Sequence, residues 1–286
     1  MATDYDTLMG WQVPEARQTY TERDTMLYAL GLGIGYEPSD PGQLSFVYEK
    51  GLKAMPSMGV VMGSPGAWFT DPRLGLDMTK LVNAGVSASF HAPLPVSGEL
   101  VGRSRVTAAI DKGRDRGALV LFRRELYDAR GNRHLCDIDT TYLFRGDGGF
   151  GGPGGTVPPP HQIPEIAPER TFDFPTVAQA ALIYRLSGDS NPLHADPAVA
   201  RAAGFPRAIL HGLCTYGIAA YAVLSTFCDH DPEKLKLIEG RFSAPVFPGE
   251  TLRFEFWRRG DVVSLRARSL ERDIVVMNNG RARIAA

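Results

Sequence analysis

Between Asp189 and His194, in the run Asp-Ser-Asn-Pro-Leu-His, the sequence places a carboxylate, an amide and an imidazole. A carboxylate and an imidazole aimed at one point can hold a water, take a proton from it and return one to a neighbouring carbon. Gly188 relaxes the backbone before Asp189, and Pro192 stiffens it before His194, so a rigid non-helical loop can aim both groups together. Asn191 stands between them and can orient the water. Downstream, His211-Gly212 opens a long apolar stretch. The first amides of a helix lack intrahelical partners and sit at the positive end of its dipole. Gly212 has no side chain to shield its N–H, which suits the oxyanion of a thioester carbonyl turning enolate. Simpler roles exist for the same residues. Ser187–Pro192 is also a run of turn formers. His194 can be a packing histidine, and His211 can pack or cap a helix. Asp189, His194 and Asp196 are a thin set of hard ligands with no evident further partner, which disfavours a metal.

These groups need a scaffold, and the chain is large enough to build one. Its 286 residues suit two domains or one large one. Lys and Arg number 31 against 32 Asp and Glu, a net charge of −1 that gives no bulk electrostatic case for nucleic acid. Apolar residues at 44% and charged residues at 22% are those of a globular protein and exclude wholesale disorder. The three cysteines, Cys136, Cys214 and Cys228, are far apart and lack metal-ligand spacing, which fits a reducing compartment. No apolar run reaches the roughly 18–20 residues that span a membrane. With no secretory or peroxisomal signal in view, the expected compartment is the cytoplasm.

The elements fall into two halves around a glycine-then-proline run from Gly146, GDGGFGGPGGTVPPPH. Strands are expected before it at 81–92, 99–112, 117–127 and 133–145, and after it at 235–245, 251–259, 262–272 and 274–284. Helices are expected at 177–186 and 210–228. Phe90/Phe242, Ala92/Ala244, Pro93/Pro245 and Leu100/Leu252 recur at an offset of 152, and Tyr28/Leu30 match Tyr184/Leu186 at 156. The same order of elements twice over points to a duplicated α+β unit. The expected boundaries are 1–150 for the first repeat, 151–170 for a Gly/Pro-rich linker, and 171–286 for the second repeat with the catalytic loop. The halves are expected to differ in one place. Leu210–Cys228 is apolar on nearly every face and reads as a buried helix. The matching zone, Pro56–Arg73, is broken by Gly63, Pro65 and Gly66 and cannot form the same rod, so space should open there.

The runs YRLSGDSNPLH and AGFPRAILHGLCTYG resemble the signature of the (R)-specific enoyl-CoA hydratases, the hydratase 2 enzymes of the MaoC-like group. The likeness extends to APLPVSGEL, IDKG, GGFGG and RFSAPVFPGETL, and so covers most of the chain. It implies a double hot-dog fold, each half a helix wrapped by an antiparallel sheet, with catalysis in the second half. It gives Asp189 and His194 the acid/base roles, Asn191 a supporting one and the Gly212 N–H the oxyanion position. It places Lys112 and Phe242 on the acyl-CoA, with Gly188, Ser190, Pro192 and Leu193 around the substrate. The family's His-Gly substrate contact stands here as Asn83-Ala84, a departure. The resemblance implies no metal or organic cofactor, an acyl-CoA partner and a homodimer.

The reaction expected is reversible syn hydration of a trans-2-enoyl-CoA to a (3R)-3-hydroxyacyl-CoA. Two alternatives stand beside it: a hot-dog acyl-CoA thioesterase, which attacks the carbonyl carbon, and a non-catalytic acyl-thioester-binding subunit. The Asp–x4–His pair disfavours both, since neither task needs it.

Overall fold

The computed structural model describes residues 3–77, 80–153, 155–157 and 159–285. Ten antiparallel strands form one continuous sheet in the order β1-β3-β4-β5-β2-β7-β10-β9-β8-β6. The first half supplies β1 (Ala16–Tyr20), β2 (Leu81–Phe90), β3 (Gly98–Asp111), β4 (Ala118–Asp128) and β5 (Arg133–Phe144). The second supplies β6 (Arg170–Pro175), β7 (Leu235–Phe242), β8 (Thr251–Arg259), β9 (Val262–Ser269) and β10 (Ile274–Ile284). Each half repeats the other strand for strand, and β2 pairs with β7 at the seam. There Ser87 faces Glu239, its own counterpart at the offset of 152, so a pseudo-twofold axis runs through this pair. Each half thus has five strands rather than the four expected from sequence. The additional ones, β1 and β6, are the two edges of the sheet.

The helices are α1 (Tyr5–Met9), α2 (Glu22–Leu32), α3 (Pro41–Val47), α4 (Ala180–Tyr184), α5 (Pro197–Ala202) and α6 (Gly212–Phe227). Helix α6 is the buried rod of the second half, with every residue from Cys214 to Leu224 out of contact with water. It packs on β6, β7, β10 and α2, and Tyr216 anchors it by donating from its hydroxyl to the Ile238 carbonyl at 2.8 Å. Removing each large aliphatic side chain from water there contributes roughly 1.5–3 kcal/mol.

The first half has no such rod. Short 3-10 turns at Pro56–Val60, Trp68–Thr70 and Pro72–Leu74 replace it. Gly63 takes a positive φ of 56° and lies so close to Gly102 of β3 that a Cβ there would stand 3.2 Å from its backbone. The place of the helix is filled by the segment's own side chains: Met55, Met58, Val60 and Met62 are buried, and Trp68 stacks on Phe122 at 4.8 Å. What stays open is a cleft lined by Tyr20, Leu27, Met58, Val61, Met62 and Gly188. The expectation of open space is therefore met only at this margin.

The glycine/proline run is a strap rather than a loose linker. Asp111 accepts from the amides of Gly149 and Gly151, both at 2.8 Å or less. His161 bonds Ser264 at 2.8 Å, and Trp257 donates to the Ile166 carbonyl at 2.9 Å. Gly154 and Pro158 of this run lie outside the described residues.

Candidate active site

Helix α4 ends in a 3-10 turn, Arg185–Ser187, closed by Gly188 at φ 120°, a conformation that side-chain-bearing residues rarely adopt. The chain then reverses through two short local caps. The carboxylate of Asp189 accepts from the Asn191 amide at 3.2 Å, and the side-chain oxygen of Asn191 accepts from the Leu193 amide at 3.0 Å. Pro192 opens the next 3-10 turn, Pro192–His194, which delivers His194 into the interior. Asn191 is exposed and its oxygen is spent on this cap, so its evident job is to shape the loop. Ser190 is exposed as well, and its carbonyl accepts from Arg185 at 3.3 Å.

His194 donates from Nδ1 to the Ile209 carbonyl at 2.9 Å. That bond fixes the tautomer and leaves the Nε2 lone pair free. Its ring stacks on His211 at 3.7 Å with 27° between planes, and His211 in turn donates from Nε2 to the Asp189 carbonyl at 3.1 Å. Burial holds the His194 imidazole below its ordinary value. Burial and the adjacent His194 push His211 down to about 4. Both rings are therefore neutral near pH 7, and a neutral His194 can accept a proton. Asp189, His194 and His211 present polar atoms within 4.8 Å of one another.

Gly212 is the first residue of α6, with His211 as its N-cap. The ring of Phe242 lies over it, 3.3 Å from where a Cβ would be, so Phe242 belongs to the site. The first half reaches in as well. Tyr142 of β5 is raised by burial and also by the charge of Asp189, which places the two within electrostatic reach. Asn83 is the register partner of Tyr142, at a bulge where its side chain accepts from the Gly85 amide at 3.2 Å. Asn83 and Ala84 thus lie on the strand beside the site. Lys112 does not join this group. It sits at the β3–β4 hairpin tip, where its carbonyl accepts from Arg116 at 3.0 Å beside the strap glycines, and no described contact links it to Asp189 or His194.

Sequence reasoning missed the tyrosines behind the loop. Tyr184 stands 5.0 Å from His211, its hydroxyl is buried without a partner among the described residues, and it packs on Tyr28. The repeat match of Tyr28 with Tyr184 was the available signal, since those two residues meet across the halves. It also missed Arg124, buried in β4 and donating to the Val60 carbonyl at 2.6 Å, which pins the broken segment in place.

With this geometry in hand, comparison with known proteins is decisive about kinship. The MFE-2 hydratase 2 N-terminal domain matches residues 18–146, and the MaoC like domain matches residues 159–278. The peroxisomal enoyl-CoA hydratase 2 of Arabidopsis thaliana is 36% identical over 95% of this chain and 93% of its own length. An enoyl-CoA hydratase of Mycobacterium tuberculosis is 35% identical over 98% of both. The crystal structure of a MaoC-like dehydratase from Phytophthora capsici superposes with a TM-score of 0.86 at 31% identity, covering 98% of each chain. A M. tuberculosis protein described as a double hotdog fold shares the architecture alone, at TM-score 0.59 and 17% identity over 99% of this chain and 98% of that one. The sheet of two fused helix-and-strand units, the loop and these relatives agree: the chain is a double hot-dog protein that belongs to the MaoC-like dehydratases, in their hydratase 2 group.

Proposed function

We propose that the protein catalyses reversible syn hydration of trans-2-enoyl-CoA thioesters to (3R)-3-hydroxyacyl-CoA, with Asp189 and His194 as the acid/base pair. The observation that carries this reading is the His194 ring: tethered through Nδ1, neutral, and adjacent to Asp189, with Nε2 left to accept a proton. A water held between the two groups loses a proton to Nε2 as its oxygen bonds to Cβ. The electron pair of the C=C bond shifts toward the thioester oxygen, which faces the Gly212 amide at the N-terminus of α6. The pair then returns a proton to Cα on the same face, and atoms balance as one water added. Phe242 covers the acyl thioester beside Gly212, and Asn83-Ala84 flank it from the first half.

The acyl tail takes the cleft walled by Leu27, Met58, Val61 and Met62, which begins at Gly188. Unbranched methionines can yield to an entering chain, so the cleft adapts rather than standing open. Among the described residues no helix is long and apolar enough to cross a membrane. The three buried free thiols support a reducing compartment such as the cytoplasm. The homodimer implied by the resemblance is checked by the mass in solution.

The deciding assay follows crotonyl-CoA and trans-2-octenoyl-CoA for loss of the conjugated absorbance, free thiol and product configuration. Hydration predicts absorbance loss with no thiol and a (3R) product. Thiol release at the same rate would establish a thioesterase instead, and silence in both channels a binding protein.

A further inference from the structure

A second cluster of chemistry-bearing groups lies in the first half, outside the acyl-CoA site. His91 follows β2, and His134 and Asp137 stand on β5. Both imidazoles turn Nε2 toward the same carboxylate, His91 to Oδ2 at 3.1 Å and His134 to Oδ1 at 2.8 Å. The two rings are 4.4 Å apart, and one donor atom from each of the three residues falls within 4.8 Å of the others. From these positions we infer a binding site for a divalent transition-metal ion of the zinc type, with His91, His134 and Asp137 as its protein ligands and water completing the shell.

Three features carry the inference. The donor set is two imidazoles and one carboxylate, the borderline and hard ligands that suit Zn²⁺ and its neighbours. Around a tetrahedral ion with bonds of roughly 2.0–2.1 Å, ligand atoms stand about 3.3 Å apart. The imidazoles approach opposite oxygens of the carboxylate at 3.1 and 2.8 Å, and the three donor atoms lie within 4.8 Å of one another, so rotation of these partly exposed side chains brings them onto one ion. The second feature is charge. The Asp137 carboxylate meets these two imidazoles and, among the described residues, no Lys or Arg within ion-pair distance, while its neighbours Glu125 and Asp139 each hold an arginine. Glu125 is its direct cross-strand partner, and like charges facing each other across a ladder are unfavourable. A cation at Asp137 removes that repulsion. The third is access and support. His91 lines a solvent-open cleft, while His134 is stacked on Tyr127 at 4.7 Å and so is held in orientation. The cluster is not part of the repeat, since Ser243 occupies the position of His91 in the second half.

The test uses the full chain, stripped with a chelator and desalted, then titrated with Zn²⁺ alone by calorimetry. The expected result is one ion per chain at this site, with a Kd in the micromolar range or tighter, and at least ~10-fold weaker binding in His91→Ala and in Asp137→Asn. Co²⁺ should give ligand-field absorption bands that the His91→Ala/His134→Ala variant lacks. Both histidines are partly exposed, so these variants should fold, and their thermal midpoints without metal verify it. Enoyl-CoA hydration should be unchanged in them. A zinc isotherm in the double variant matching that of the parent, or no binding below millimolar zinc, overturns the proposal and leaves a hydrogen-bonded surface triad.

Discussion

The two halves share a fold and differ in what fills it. In the second, α6 runs unbroken for 16 residues, and its N-terminus, His211 and Gly212, faces the catalytic loop. In the first, the corresponding chain breaks at Gly63 and Gly66, both at positive φ, and folds into short turns pinned by Arg124. A continuous rod provides a helix end and its dipole; a broken one provides adaptable methionines and a cleft. The comparison teaches that a duplicated unit can keep a buried helix and its polar N-terminus in one copy while the other copy gives up the helix for short turns beside a cleft.

The contrast breaks most sharply at the loop. Asp189→Asn and His194→Gln should each lower kcat for crotonyl-CoA by about 10²–10⁴-fold, the usual contribution of a general acid–base group. Circular dichroism should show the fold unchanged, because Asp189 is partly exposed and the glutamine amide at 194 can still donate to the Ile209 carbonyl. Near-parental turnover in either variant would move the chemistry elsewhere.

Acid should unfold the second half first. His161, His194, His211 and His230, in the strap and second half, are all held below the ordinary histidine value, chiefly by burial. The folded state stays neutral where the unfolded chain binds protons, so stability is full above pH ~6.5 and falls as pH drops toward 4. The stacked His194 and His211 act together in that loss, and His211→Gln should flatten the curve. Hydrogen exchange at pH 5 should show α6 losing protection before β3–β5; the reverse order would refute the assignment.

A milder contrast lies in the paired phenylalanines. Phe242→Ala should raise KM roughly 10-fold, because that ring covers Gly212, whereas its repeat mate Phe90→Ala should leave kcat/KM within about twofold. Equal losses would mean that both positions serve packing alone.

The smallest expected effect concerns the tail. kcat/KM should rise several-fold from four to eight carbons, mostly through KM, as each buried CH₂ adds up to about 0.8 kcal/mol. Met62→Ala should extend the rise to longer chains. A profile that peaks at crotonyl-CoA and is not moved by Met62→Ala would show that Met58 and Met62 close the cleft permanently.

Much of this was readable from residue types. All eight expected strands are present within a few residues at each end, because their apolar periodicity is strong and their turns carry Gly, Pro or Asp. The edge strands β1 and β6 were not, since sequences such as Ala-Arg-Gln-Thr-Tyr carry little periodicity and owe their shape to one neighbour. A helix at the head of the first half was expected from the repeat, but the bounds of α2 were not: its burial comes from contacts with α4 and α6 that no local pattern encodes. At the site, the Asp189–His194 spacing was visible. The stacking of His211 and the neutrality of both rings were not, because they arise from burial beneath another segment.

The seam between β2 and β7 has a thermodynamic consequence. Two separate chains meeting at such an edge would part on dilution, and any site assembled across them would vanish with concentration. Here Ser87 meets Glu239 within one polypeptide, so the encounter is unimolecular, at the millimolar effective concentrations that a tether supplies. The approach of Tyr142 on β5 to Asp189 therefore persists at any dilution. Fusion also means that a change in one half is not copied into the other, so one copy can hold a broken segment beside an unbroken rod.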